Sequence, residues 1–235
     1  MARSTTADYA VTATQVITAT FKEMGILSKG GTIDANDKTY GLQRLNLVVK
    51  NMMGPENRIY RGMKVYQRAV GTLVLTAKNN FDIYSGGSDY DLIAPVDLFN
   101  VLIRNTNNED YPLQRMTRDE YDGIALKSQA GDPSKYLYER EYAYGTLYFD
   151  TVISDTTDTA IFTYHRPLFD IDTVTDDVDY PQEWHLVLVY LLARHLAPSY
   201  GLDPAMWDGL FQEALENANS FYPDRTTVYF QPDKE

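Results

Sequence analysis

At 235 residues with 44% hydrophobic side chains, the chain is long enough to bury a sizeable core, which argues against global disorder. It has no cysteine, and this removes disulfides, thiolate zinc sites, iron–sulfur clusters and cysteine nucleophiles together. Its net charge of −12, from 33 acidic against 21 basic residues, argues against a protein that grips a nucleic-acid duplex, because phosphates are held by lysine and arginine.

The N-terminus, Met1-Ala2-Arg3-Ser4-Thr5-Thr6, has no apolar stretch of signal-peptide type. The longest apolar run, Leu186 to Ala193, falls far short of the roughly 20 residues that span a bilayer. A soluble protein without a membrane partner is expected. Ala13, Val16, Ile17, Phe21 and Met24 recur at helical spacing, and Gly25 stands where that helix would stop. A second helix is expected to be capped by Asp34 or Asn36, to carry the stripe Leu42, Leu45, Val49 and Met52, and to end at Gly54-Pro55. Two amphipathic helices joined by a short loop read as a hairpin.

From Ile59 to Tyr111 the texture becomes that of strands. Ala69 to Thr76 and Val96 to Arg104 are rich in Val, Leu, Ile and Phe, and turn clusters such as Ser85-Gly86-Gly87 divide the region. Thr117 and Glu120 have the spacing of a capping box, predicting a short helix over 117–126. Strands are then expected over Tyr136 to Tyr142, Thr146 to Thr151 and Thr159 to Tyr164, the last two joined through Ser154-Asp155-Thr156-Thr157-Asp158. Pro181 suits the first turn of a helix whose apolar residues, from Trp184 to Leu196, run nearly all round, so it should be the most buried element. Gly201 ends it, and Asp203-Pro204 opens a last helix with Met206, Leu210, Phe211, Ala214, Leu215, Ala218 and Phe221 on one stripe.

The order is that of an α+β fold, with N- and C-terminal helices forming one antiparallel bundle around an inserted, antiparallel β-rich domain. The expected divisions are a helical hairpin over 1–55, the β-rich insertion over 56–180, the closing helices over 181–222 and an extended tail over 223–235. Neither helical pair buries its stripe alone, which is why the ends should pack together.

Candidate chemistry is sparse. His185 and His195 are ten residues apart on one predicted helix, too far for a metal pair at i, i+4, and His165 lies at a strand end. No G-x-S-x-G elbow, phosphate-binding loop or dinucleotide fingerprint is present. The acidic run Asp170, Asp172, Asp176, Asp177 and Asp179 fails as a calcium loop, with Thr175 at position six and Pro181 at position twelve. It reads as a solvated loop whose carboxylates favour the following helix N-terminus. No catalytic, cofactor or metal residue is assigned. Two other classes stay open: a cell-wall hydrolase using a carboxylate pair, and a carbohydrate-binding module, the latter weakened by having two tryptophans. The 19 tyrosines suit either a sheet surface or interfaces.

Four stretches carry a family resemblance: ATQVITATFKEMGIL from Ala13, YGLQRLNLVVKNMM from Tyr40, PLQRMTRDEYDGIALKSQAGDPSKYLYE from Pro112, and Tyr164 to Gly201 with its DYPQEWHLVLVYLLARHLAPSYG end. In this order the chain resembles the head-to-tail adaptors of short-tailed bacteriophages, also called tail accessory or packaged-DNA stabilisation proteins, and is distantly like tail tubular protein A. It departs from their pattern in lacking a tryptophan between Gly54 and Asn80, and in having Thr151-Val152-Ile153 where a proline-containing strand end is usual.

The resemblance implies a virion protein, made in the host cytoplasm, with no reaction and no cofactor. Twelve copies would ring the portal protein, extend the DNA channel, retain packaged double-stranded DNA without reading its sequence, and give the tail tube or nozzle its platform. It further implies that the C-terminal segment reaches into the portal. Val228, Tyr229 and Phe230 would then be its docking anchors, the alternative being a frayed terminus.

Overall fold

In a computed structural model the described residues are 9–54, 59–142 and 144–222. They divide into two compact units: Met1–Val48 with Arg58–Val65 and Asp170–Glu235, and Val49–Asn57 with Tyr66–Phe169. Helices and mainly antiparallel sheets make up an α+β fold with terminal helices.

The first unit is helical. Helix α1 (Ala13–Glu23) starts at a reciprocal cap: Gln15 N–H donates to Thr12 Oγ1, and Thr12 N–H donates to Gln15 Oε1. It ends before Gly25, whose φ of +71° favours a residue without Cβ. Helix α2 (Ala35–Met52) begins where Asp34 Oδ1 accepts the Asn36 N–H at 2.8 Å. It approaches α1 closely at Gly41, where an added Cβ would stand 2.7 Å from Ile17 Cγ2. Helix α3 (Arg61–Gln67) follows; the strand texture of that region conceals it.

Helix α5 (His185–Leu196) is the apolar hub. A 3-10 turn over Gln182–Trp184 leads into it, another over Ala197–Tyr200 leads out, and Gly201 at φ +71° closes it. Val187, Leu188, Leu191, Leu192, Ala193 and Leu196 are buried, as expected of a helix apolar on most sides, while α1 and α6 (Asp208–Ser220) pack on it. Buried Thr20 spends its hydroxyl on Val16 O one turn back, at 2.9 Å, leaving no orphan donor in this contact. The acidic loop after Asp170 is pinned to the same unit. Asn46 Nδ2 donates to Ile171 O, Ile171 N–H donates back to Asn46 Oδ1, and Ala13 N–H donates to Asp176 O.

The second unit is a two-sheet sandwich. One antiparallel sheet has the order β1 (Arg68–Val74), β11 (Thr159–His165), β4 (Asp97–Arg104), β5 (Asp110–Pro112). The other runs β3 (Tyr90–Asp91), β2 (Asn80–Tyr84), β9 (Gly145–Phe149), β8 (Lys135–Arg140), β6 (Gln114–Arg115), with its two-residue edge strands parallel to their neighbours. A small parallel pair joins β7 (Ala130–Gly131) to β10 (Val152–Ile153). Leu73, Leu98, Val101 and Phe162 from one sheet and Phe81, Ile83, Leu147 and Phe149 from the other form one buried core. The strands expected at 146–151 and 159–164 exist, but they are not neighbours: β9 and β11 lie in different sheets, and 150–158 crosses between them. A turn sequence fixes where a chain reverses, not which edge it rejoins.

Helix α4 (Arg118–Asp122) has the predicted cap, with Glu120 N–H on Thr117 Oγ1 and Thr117 N–H on Glu120 Oε2. It is shorter than the expected 117–126, because Gly123 ends it after one turn and a half. Tyr121 still reaches Met116 and Leu137, so α4 covers part of the outer face of the β8–β9 sheet.

Candidate interaction surfaces

Val228, Tyr229 and Phe230, the residues singled out for docking, lie outside the described residues. The described surface offers three features.

The first is the outer face of the β1–β11–β4–β5 sheet. Register sets Val70, Thr72 and Val74 beside Thr163, Ile161 and Thr159, and these in turn beside Asn100, Leu102 and Arg104. Residues two apart along a strand share a face, so eight uncharged side chains form a continuous patch with Arg104 at its corner. Val70 and Val74 are 66% and 68% exposed. Among the described residues of the β-rich unit no helix packs on this face, whereas α4 packs on the other sheet. Strand β1 is also an edge. Thr72 N–H points away from β11 and donates to Tyr90 Oη at 3.3 Å, so by alternation Val70 and Val74 present their backbone groups outward too. Natural edges are usually guarded by lysine, proline or a bulge; β1 has Arg68 at one end and none of these along it.

The second is a pocket of about 370 Å³ at the end of the sandwich where β1 stops. Leu75, Ile103, Pro133 and Ile153 supply its apolar lining, and Asp132, Asp155, Asp158, Asn105 and Tyr111 its polar lining. Burial, together with the neighbouring Asp155 and Asp132 carboxylates, pushes the Asp158 carboxyl above its usual value. Asp155 goes the other way, because Thr157 donates to it from both Oγ1 (2.6 Å) and N–H (2.9 Å). Sequence reading met these residues only as turn chemistry; nothing in a single turn shows that Asp132 and Asp158 share a pocket.

The third feature is charge. Three arginines of the β-rich unit are held by carboxylates: Arg104 by Asp110 at 2.6 and 2.7 Å, Arg115 by Asp97, and Arg118 by both Asp122 and Glu139. Exposed pairs of this kind add little stability, but they leave no cluster of free guanidinium groups among those residues. The histidines do not converge. His185 and His195 sit on α5, and His165 stacks on Phe99 with centroids 4.7 Å apart. Among the described residues no group of three or more histidines and carboxylates is placed to hold a metal ion, and no helix is long and apolar enough to cross a membrane.

An exposed aliphatic sheet face beside a free strand edge is a surface on which another chain can pair. The family model for the SU10 adaptor protein matches residues 12–231, almost the whole chain, and the chain belongs to that family. It is therefore a phage structural adaptor of the head-to-tail kind, a virion component whose class implies contacts with portal and tail proteins. No curated protein matches the chain in sequence.

Proposed function

We propose that this protein forms a ring, of twelve copies, on the portal of the filled head. There it extends the DNA channel, helps retain the packaged genome and presents the platform on which the tail tube or nozzle assembles. The family match over 12–231 carries this reading. The charge balance supports it: each copy adds −12, and Arg104, Arg115 and Arg118 of the β-rich unit are paired with carboxylates, so DNA passing by meets more anions than cations. Duplex adhesion would oppose ejection, whereas like charge acts over a Debye length of ~8 Å to keep the duplex off the wall.

The test is co-sedimentation of the purified protein with portal rings, followed by mass measurement of the complex. A stoichiometric ring is expected, with no retention of free duplex by the protein alone. Absence of binding to portal rings would remove the reading. A cell-wall digestion assay addresses the hydrolase alternative, and turnover lost on a single carboxylate substitution would favour it.

A further inference from the structure

We infer that an extended segment of the tail-tube protein adds as an antiparallel strand to the β1 edge, its uncharged middle along Val70, Thr72 and Val74 and a carboxylate at its end beside Arg68. This rests on the reading of the protein as the tail's platform and names a contact that holds the tail there.

The edge has the groups that such an addition needs. Thr72 N–H points away from β11 and meets the Tyr90 hydroxyl at 3.3 Å, and the backbone of Val70 and Val74 turns the same way. Seven residues extend to about 23 Å, enough to take a whole strand. In this mode of recognition main-chain hydrogen bonds provide the attachment, and alternate side chains provide the selectivity. An incoming carbonyl replaces the Tyr90 hydroxyl at Thr72, so one long hydrogen bond gives way to a ladder. The new strand lies in the plane of the sheet, which leaves the outer face open.

A second copy offers no edge of matching length among the described residues. Strand β5 has three residues and ends in Pro112, and β3, β6, β7 and β10 have two each. Two β1 edges would pair about a two-fold axis, and an isologous contact of that kind closes as a dimer rather than propagating a ring. The occupant therefore comes from a different protein. In the proposed assembly the portal is met as the ring forms, so an edge left open on the ring is offered to the tail.

Charge states what the segment carries. At the far end of the face Arg104 is held by Asp110, whereas Arg68 is exposed, its guanidinium 5.2 Å from the centre of the Phe99 ring. Among the described residues no carboxylate pairs with Arg68. The edge is thus uncharged along its length with a cation at its start, on a chain that is −12 overall. A carboxylate that follows the added strand would sit beside that cation, and lysine or arginine there would be repelled.

The test is amide hydrogen exchange on portal-bound rings, before and after the tail-tube protein is added. The Val70, Thr72 and Val74 amides are expected to stay exchangeable on the ring and to become protected when the tail-tube protein binds. Thr72→Pro removes an outward N–H without touching the β1–β11 ladder and should weaken capture of the tail-tube protein roughly tenfold. Arg68→Glu should weaken it about two- to five-fold, less at high salt; melting temperatures of both variants check the fold. Capture of the tail-tube protein with exchange at those amides unchanged would overturn the inference and leave the adaptor reading standing. Protection already present before the tail-tube protein is added would also overturn it, assigning the edge to the portal or to this chain. Failure of rings to form on the portal, or to hold the tail-tube protein at all, would strike the adaptor reading and this inference with it.

Discussion

Gly71 lies in the middle of β1 under the ring of Phe162, a side chain with no exposed surface. A Cβ built at Gly71 would stand 2.6 Å from Phe162 Cζ, 2.7 Å from Cε2 and 3.1 Å from Tyr90 Oη. Ordinary carbon contacts lie at about 3.5–4.0 Å, so Gly71→Ala forces the ring back by roughly 1 Å. Phe162 has little room to retreat, because it already packs edge-on to Tyr90 at 5.5 Å and against Tyr164 at 5.7 Å. Such overpacking costs about 1–3 kcal/mol, and removing a strand glycine returns about 0.5–1 kcal/mol. The net expectation is a loss of about 1–2 kcal/mol, seen as a drop of roughly 0.5–1 M in the urea midpoint followed by circular dichroism. Phe162→Leu shortens the opposing side chain, so the double variant should recover part of the loss, with a coupling of about 1–2 kcal/mol. A midpoint for Gly71→Ala equal to or above that of the parent would refute this account of the β1–β11 contact. A double variant that behaved additively would refute the pairing with Phe162.

Three further outcomes are expected. Portal rings should capture the protein in fixed stoichiometry. His185 is held below its ordinary value by burial, with Glu183 and the Tyr180 backbone opposing the shift. The unfolded chain thus takes up a proton near pH 6.5 more readily than the folded one, and stability present above that pH is lost as pH falls through and below 6.5. The melting temperature should drop between pH 7.5 and 5.5, and His185→Leu should flatten that slope; an unchanged slope would point to other groups. Thr117→Ala removes the acceptor for Glu120 N–H and should cost about 0.5–2 kcal/mol locally, read as faster amide exchange at Tyr121 and Ile124 with the sandwich core unaffected.

The helices were legible because their signals are local. Asp34, Thr117 and Glu120, and Gly25 and Gly201 each act within one turn of the residues they cap, and the structure uses every one of them, while the Thr12–Gln15 cap emerged only from the structure. Helix α3 was hidden because Arg61–Gln67 is too short to display a period and sits among strand formers. Strand positions were likewise readable at 97–104 and 159–165, but pairing was not. Ser154 to Asp158 reads as a hairpin turn, yet the chain leaves β9 in one sheet and enters β11 in the other. Which edge a strand joins depends on side chains far away in sequence, such as the Phe162 ring, which lies so close over Gly71 that a Cβ there would stand 2.6 Å from it.

The open sheet face shows the same limit in its functional form. Along β1 the sequence alternates Val70, Thr72 and Val74 with Gly71 and Leu73, and both sets look fit for burial. Only one set is buried. Leu73 enters the core, while Val70 and Val74 stay in solvent. An isolated chain does not hold such a strand exposed for its own stability, since burying each valine would be favourable by about 1.5 kcal/mol or more. The residues therefore make sense at the level of the assembly rather than the fold. A protein that is acidic overall gathers eight uncharged side chains where an edge is also free to pair. In the proposed ring, a surface of that kind would let copies of like charge meet without bringing carboxylates face to face.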